Sequence, residues 1–196
     1  MKFGGFSRPF KGLNICGDSF VIEERDGTSL IAVIDGLGHG YDSWVAASTA
    51  AEVIRNHAEL SVDGILRRCH QELRVTRGAA VGVLKIASGG EGEFCGVGNI
   101  EVQALNGSSP SVFCLAGIVG HNLRSSKVMP VLMRPGDIYC LLSDGVSSRG
   151  NFKSCLPGDP ESVARRIVEQ WGQAHDDATA VVVGYGNPAL LTDRAA

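Results

Sequence analysis

The sequence has no pair of cysteines spaced C-x-x-C, no apolar run near the roughly 18 residues that span a bilayer, and no low-complexity or repeated stretch. The first absence argues against a structural zinc knuckle. Cys16, Cys69, Cys95, Cys114, Cys140 and Cys155 are scattered, four of them in or beside apolar runs, and read as reduced, buried thiols. Charge of either sign is also not in excess: Lys plus Arg is 18, Asp plus Glu is 21, and the net charge is -3. That balance gives no general reason to expect nucleic acid or an anionic membrane as partner. Met1 to Phe6 runs into Ser7-Arg8-Pro9 without the long apolar core of a signal peptide. A soluble, cytoplasmic protein is the expectation.

What is abundant is glycine, 26 of 196 residues, against an average near 7%. Many tight turns between short strands account for it. With 44% hydrophobic residues the chain can bury a real core. A single domain over 1–186 and a flexible tail over 187–196 are expected.

The stretch around which the rest is organised is Leu30-Ile31-Ala32-Val33-Ile34-Asp35-Gly36-Leu37-Gly38-His39-Gly40. Its apolar run fits a strand covered on both faces. An acid at the end of such a strand is costly unless a cation or several hydrogen bonds compensate. The glycines that follow let the backbone turn and approach a ligand, a metal or a phosphate. Taken alone, Asp35 serves equally well as a helix cap.

In chain order, Lys2 to Phe6 reads as a short strand. Asp18 to Glu23 and Thr28 to Ile34 form a hairpin about Asp26-Gly27, which puts Asp18 and Asp35 at the same end. Helical periods cover Tyr41 to about His57 and Asp63 to about Val75. Ala79–Ile86, Gly92–Val97, Ile100–Leu105 and Ser111–Leu115 then read as an antiparallel meander, since Gly, Asn and Ser break them at close intervals. Val128–Met133 and a strand from Ile138 into Ser143-Asp144-Gly145 follow. Pro160 opens a helix to about Trp171, and Asp176-Asp177 precedes a last strand, Ala178–Tyr185.

Asp18, Asp35, Asp144 and the pair Asp176-Asp177 therefore stand at the ends of apolar strands. Carboxylates gathered in one place repel and desolvate one another unless cations neutralise them. An all-oxygen cluster suits magnesium or manganese, whereas zinc favours His or Cys. The pattern predicts a two-metal site.

Gly17-Asp18, Asp35-Gly36-Leu37-Gly38-His39-Gly40, Ser143-Asp144-Gly145 and Asp176-Asp177-Ala178-Thr179 resemble, in order, the motifs of the metal-dependent protein Ser/Thr phosphatases (PPM, or type 2C). Gly96-Val97-Gly98-Asn99 is similar to that family's mid-chain glycine turn, and the match spans residues 14 to 185. Arg134-Pro135-Gly136-Asp137 ahead of Ser143-Asp144-Gly145 resembles the small bacterial stress-response branch, the RsbX-type phosphatases.

The resemblance implies an α+β fold, an α-β-β-α sandwich of two antiparallel sheets flanked by helices. It implies two Mn2+ or Mg2+ ions, Asp35 bridging both, Gly36 offering its carbonyl, Asp144 and Asp176 completing the second, and Asp18 holding a site directly or through water. Asp177 reads as a supporting or capping acid. A metal-bridging water would attack phosphorus in line. The implied substrates are phosphorylated STAS-domain proteins of the stressosome.

Departures from the family are part of the reading. Leu37 stands where larger members carry a histidine after Asp-Gly, which leaves His39, or more weakly His175, as proton donor. Arg8 is the only N-terminal match to a phosphate-binding arginine and reads as a surface charge. Arg74 to Arg77 offers no acid for a third metal. Two alternatives remain: a catalytically silent phosphoprotein-binding module, and an ATP-binding kinase of the histidine-kinase type, whose magnesium motif Glu52-Val53-Ile54-Arg55-Asn56 resembles in spacing but not in order.

Overall fold

In the computed structural model, which describes residues 1–186, 189, 191 and 192, the β-branched runs fold as strands and the 3.6-residue patterns as helices. Their order is β1 (Lys2–Arg8), β2 (Asp18–Arg25), β3 (Thr28–Gly36), α1 (Tyr41–Asn56), α2 (Val62–Glu72), β4 (Ala79–Ala87), β5 (Glu91–Val97), β6 (Glu101–Asn106), β7 (Met129–Leu132), β8 (Ile138–Leu142), α3 (Pro160–Trp171) and β9 (Ala178–Gly184). Two antiparallel sheets result, ordered β1-β9-β8-β6 and β2-β3-β4-β5-β7. The α+β sandwich expected from the motifs is the observed fold.

Alternation along the most apolar strands builds three layers of core. Leu30, Ala32 and Ile34 of β3 pack beneath α1 and α2, while Ile31 and Val33 face the opposite sheet. Ile138, Cys140 and Leu142 of β8 likewise pack under α3, and Tyr139 and Leu141 join the layer between the sheets. These strands read as continuous apolar runs because both of their faces are covered. Burying each large aliphatic side chain stabilises the fold by about 1.5–3 kcal/mol.

Local signals fix the ends. Asp26 (φ 50°) and Gly27 (φ 74°) make the tight β2–β3 turn. Ser61 Oγ accepts the Gly64 N–H to cap α2, and Asp159 accepts the Ser162 N–H to cap α3, whose first residue is Pro160.

The meander needs two corrections. Ser111–Leu115 is not a strand: Leu115 makes an isolated parallel bridge to Val97. The rest of that edge of β5, Glu91 to Phe94, is occupied by β7. The chain also leaves the meander after β5, because β6 pairs with β8 in the other sheet. The Gly98-Asn99 turn is thus a crossing between sheets. Of the expected tail, 187, 188, 190 and 193–196 lie outside the described residues; Leu191 is buried and its carbonyl accepts from Lys2 Nζ. All six cysteines are free.

Candidate metal centre

Register brings the acids together. In the β2–β3 pair Asp18 lies directly opposite Asp35, so both occupy one face of the sheet. Asp35 shares that face with Ile31 and Val33, which pack between the sheets. From the other sheet, Asp144 follows β8 and Asp176 precedes its neighbour β9. Each sheet delivers acids to the same end of the sandwich. There Asp35, Asp144 and Asp176, with Leu37, Gly38, His39 and Asn99, line a cleft of about 240 Å³.

Crowding sets the electrostatics. Asp35 is pushed up to about 9 by burial first, then by the charges of Asp18 and Asp144, a hydrogen bond with Asp144, and the charge of Asp176. Asp18 is pushed up to about 7 by burial, with Asp177 and Asp144 adding to it and hydroxyl hydrogen bonds from Ser143 and Thr179 opposing it. Burial and then Asp144 raise Asp176. Burial, then the charge of Asp18, push the neighbouring Cys16 thiol up, so it stays protonated.

The donors are all oxygen, which fits Mg2+ or Mn2+, and a cation between these carboxylates would offset the burial and the repulsion that raise them. Among the described residues no three His, Cys, Asp or Glu side chains close on one point. The acids meet in pairs instead: Asp18 across from Asp35, Asp35 against Asp144, Asp144 beside Asp176. Magnesium is held in this way, by one or two carboxylates while keeping several waters. The residues fit two hard divalent ions.

Asp18 is buried behind the cleft, its Oδ2 accepting from Ser143 Oγ at 2.6 Å. Ser143 Oγ in turn accepts the Thr179 N–H at 2.9 Å, and the Thr179 and Ser7 hydroxyls share a hydrogen bond at 2.7 Å. Gly36 is buried at the end of β3, and its N–H donates to Gly17 O. Asp177 does not line the cleft: Oδ1 accepts the Phe10 N–H at 2.9 Å, and Oδ2 is buried with no hydrogen-bond partner among the described residues. His39 lines the cleft with its ring 4.9 Å from that of Phe10; His175 is exposed outside it. Arg8 donates to the carbonyls of Gly172 and Gln173, so it ties β1 to the end of α3. Glu52 and Asn56 are exposed on α1 and do not line the cleft.

Sequence reasoning assigned no role to Asn99, Ser143 or Gln173. Asn99 Nδ2 donates to Asp144 Oδ2, and Gln173 Nε2 donates to Asp144 O at 3.0 Å. For Asn99 the signal was the quoted Gly-Val-Gly-Asn turn, whose crossing between sheets no local pattern discloses.

Two facing antiparallel sheets, outer helices and an acid-lined cleft at one end are the fold of the PPM, or type 2C, phosphatases. More particularly, the chain is homologous to the phosphoserine phosphatase RsbX of Bacillus subtilis strain 168, with 29% identity over 140 residues, 70% of either chain. A chain solved in work on the bacterial stressosome, a modular system adapted to control secondary messenger signalling, superposes with a TM-score of 0.82 at 26% identity. That match covers 92% of this chain and 97% of the other. RsbX in complex with magnesium gives 0.77 at 23% identity, covering 91% and 92%. The catalytic domain of the phosphatase PstP with two manganese ions gives 0.73 at 17%, covering 92% and 96%. No family model matches the chain.

Proposed function

We propose that this chain is a Mn2+- or Mg2+-dependent phosphoserine/phosphothreonine protein phosphatase. The observation that carries the reading is the meeting of Asp35 and Asp144, strand-end acids of two different sheets, in one open cleft with Asp176 beside them. The homology to a phosphoserine phosphatase supports it.

Asp35, Asp144 and Asp176 would hold the ions, with Asp18 behind them fixed by Ser143. Two divalent cations held there would supply charge neutralisation at the phosphoryl oxygens and would acidify a water to serve as nucleophile. The protein's own part is placement. The hydrogen bond from Asn99 orients the Asp144 carboxylate, and Gln173 holds the backbone beneath it. His39, in the cleft wall and braced against Phe10, would give a proton to the serine or threonine oxygen as it leaves.

The proposed substrates are phosphorylated STAS-domain proteins of a stressosome, a reading supported by the RsbX homology and by the stressosome chain of like fold. The test measures phosphate release from a phosphoserine peptide and an aryl phosphate with Mn2+, Mg2+ or chelator, for wild type and Asp35→Asn, and then from a phosphorylated STAS domain beside an unrelated phosphoprotein. Metal-dependent turnover lost in the variant supports the enzyme. Absence of turnover from a folded wild type points to the silent binding module, and preference for the unrelated phosphoprotein removes the STAS assignment.

A further inference from the structure

The cleft does not end at the acids. Asn99 and Asp144 also line a second, larger groove of about 460 Å³, together with Ser147, Ser148 and Arg149. The two cavities share a wall. A phosphoryl group among the acids therefore has its polypeptide within reach of this groove, which lies in the size range of ligand pockets, about 300–1,000 Å³.

Among the described residues the groove is lined by one cation, Arg149, and two acids, Glu101 and Asp144, the latter shared with the cleft. Arg149 is exposed and, among the described residues, has neither a hydrogen bond nor an ion pair through its side chain. The other arginines beside the site are committed: Arg8 to the carbonyls of Gly172 and Gln173, and Arg77 to Asp42 at 2.7 Å. Glu101, which also lines the groove, accepts from Gln103 Nε2 at 2.9 Å, the amide that reaches Ser148 O as well. The loop under Arg149 is held at three points. Ser147 N donates to Trp171 O at 2.9 Å and Gly150 N to Ser147 O at 3.2 Å, while Ser148 O accepts from Gln103 Nε2 at 3.3 Å. With the loop backbone already fixed, docking a carboxylate orders only the Arg149 side chain.

We propose that this groove binds the substrate chain beside the phosphoserine and that Arg149 selects an acidic side chain there. The inference rests on the phosphatase reading and names its substrate class: phosphoserine segments with a nearby Asp or Glu.

Peptides with one phosphoserine and a single Glu or Lys, placed in turn at each of the three positions on either side, decide the matter. The readout is the ratio of kcat/KM for the Glu peptide to that for the Lys peptide, with Mn2+, in wild type, Arg149→Ala and Arg149→Glu. A ratio within one variant does not depend on how much of it is folded. We expect wild type to prefer Glu by about tenfold at the best position, the worth of one hydrogen-bonded charge. The preference should fall to near one in Arg149→Ala and invert in Arg149→Glu. One ratio common to all three proteins overturns the inference and leaves the phosphatase reading standing; no Mn2+-dependent phosphate release from any peptide by wild type overturns both.

Discussion

Replacing Asp35 by Asn should make the metal-free protein more stable while destroying its activity. Asp35 has an ordinary value of 3.8 and is pushed up to about 9 by burial and by Asp18, Asp144 and Asp176. At pH 7 it is ionised in the unfolded chain and protonated in the fold, so folding takes up a proton. Between 3.8 and pH 7 lie about three pH units, each about 1.4 kcal/mol, an upper limit near 4 kcal/mol. Water in the open cleft screens part of this, and about 1–2 kcal/mol is the expected gain. Asn does not incur that cost, and its amide offers Asp144 the donor that a protonated Asp35 offers. Calorimetry in chelator at pH 7 should show Tm raised by roughly 2–8 °C for a chain of this length. With Mn2+ the order should reverse, since only wild type gains stability from a bound ion. Turnover should fall by more than about 100-fold, because losses in the outer shell of a metal site alone cost about 10–100-fold. A variant less stable than wild type in chelator, or one keeping both its Mn2+ shift and its turnover, would refute the reasoning.

Raised acids also set a pH dependence. Because Asp35 and Asp18 hold protons in the fold that the unfolded chain has released, stability in chelator should fall as pH rises from about 4 to about 9, and the Mn2+-induced rise in Tm should grow over the same interval. A flat profile by scanning calorimetry would contradict the burial argument. Ser143→Ala removes the donor to Asp18 and the acceptor for Thr179 N–H; unfolding in urea should show a loss of about 1–3 kcal/mol, and titration calorimetry a Mn2+ affinity weaker by about 10–100-fold. For His39→Gln, turnover of a phosphoserine peptide should drop by about 10²–10⁴, while an aryl phosphate, whose phenoxide leaves without a proton, keeps most of its rate. Equal losses on both substrates would end the case for His39 as proton donor.

The fold was legible wherever one local rule decided it. The β2–β3 hairpin followed from Asp26-Gly27, α3 from Pro160 and its apolar spacing, and β3 from its unbroken run, all close to their observed bounds. Ser111–Leu115 was misread because its residues suit a strand, while the edge it needed is held by β7 from much later in the chain. Competition for an edge has no local signature. The same applies to the site. Asp35, Asp144 and Asp176 stood out as acids ending or beginning apolar strands, whereas Asn99, Ser143 and Gln173 are polar residues of ordinary turns until the sheets face each other. Arg8 shows the converse: a cation near the expected place, spent on two carbonyls.

The glycine after each strand-end acid has a packing reason of its own. A Cβ on Gly36 would stand 2.1 Å from Ser43 O in α1, and one on Gly145 would stand 1.8 Å from Asp177 O in the approach to β9. Neither residue has a positive φ, so what demands glycine is close approach of backbone to backbone. The first contact seats the start of α1 against the end of β3; the second seats the Asp176-Asp177 segment against the end of β8. The spacing of Asp35 from the helix, and of Asp144 from Asp176, is thereby set by main-chain contact, the least compressible part of a close-packed interior. Side chains alone would splay apart under the mutual repulsion that adds to burial in raising Asp35. Held by the backbone, the acids keep their places at a cost in stability, and that is the arrangement a preorganised site for cations requires.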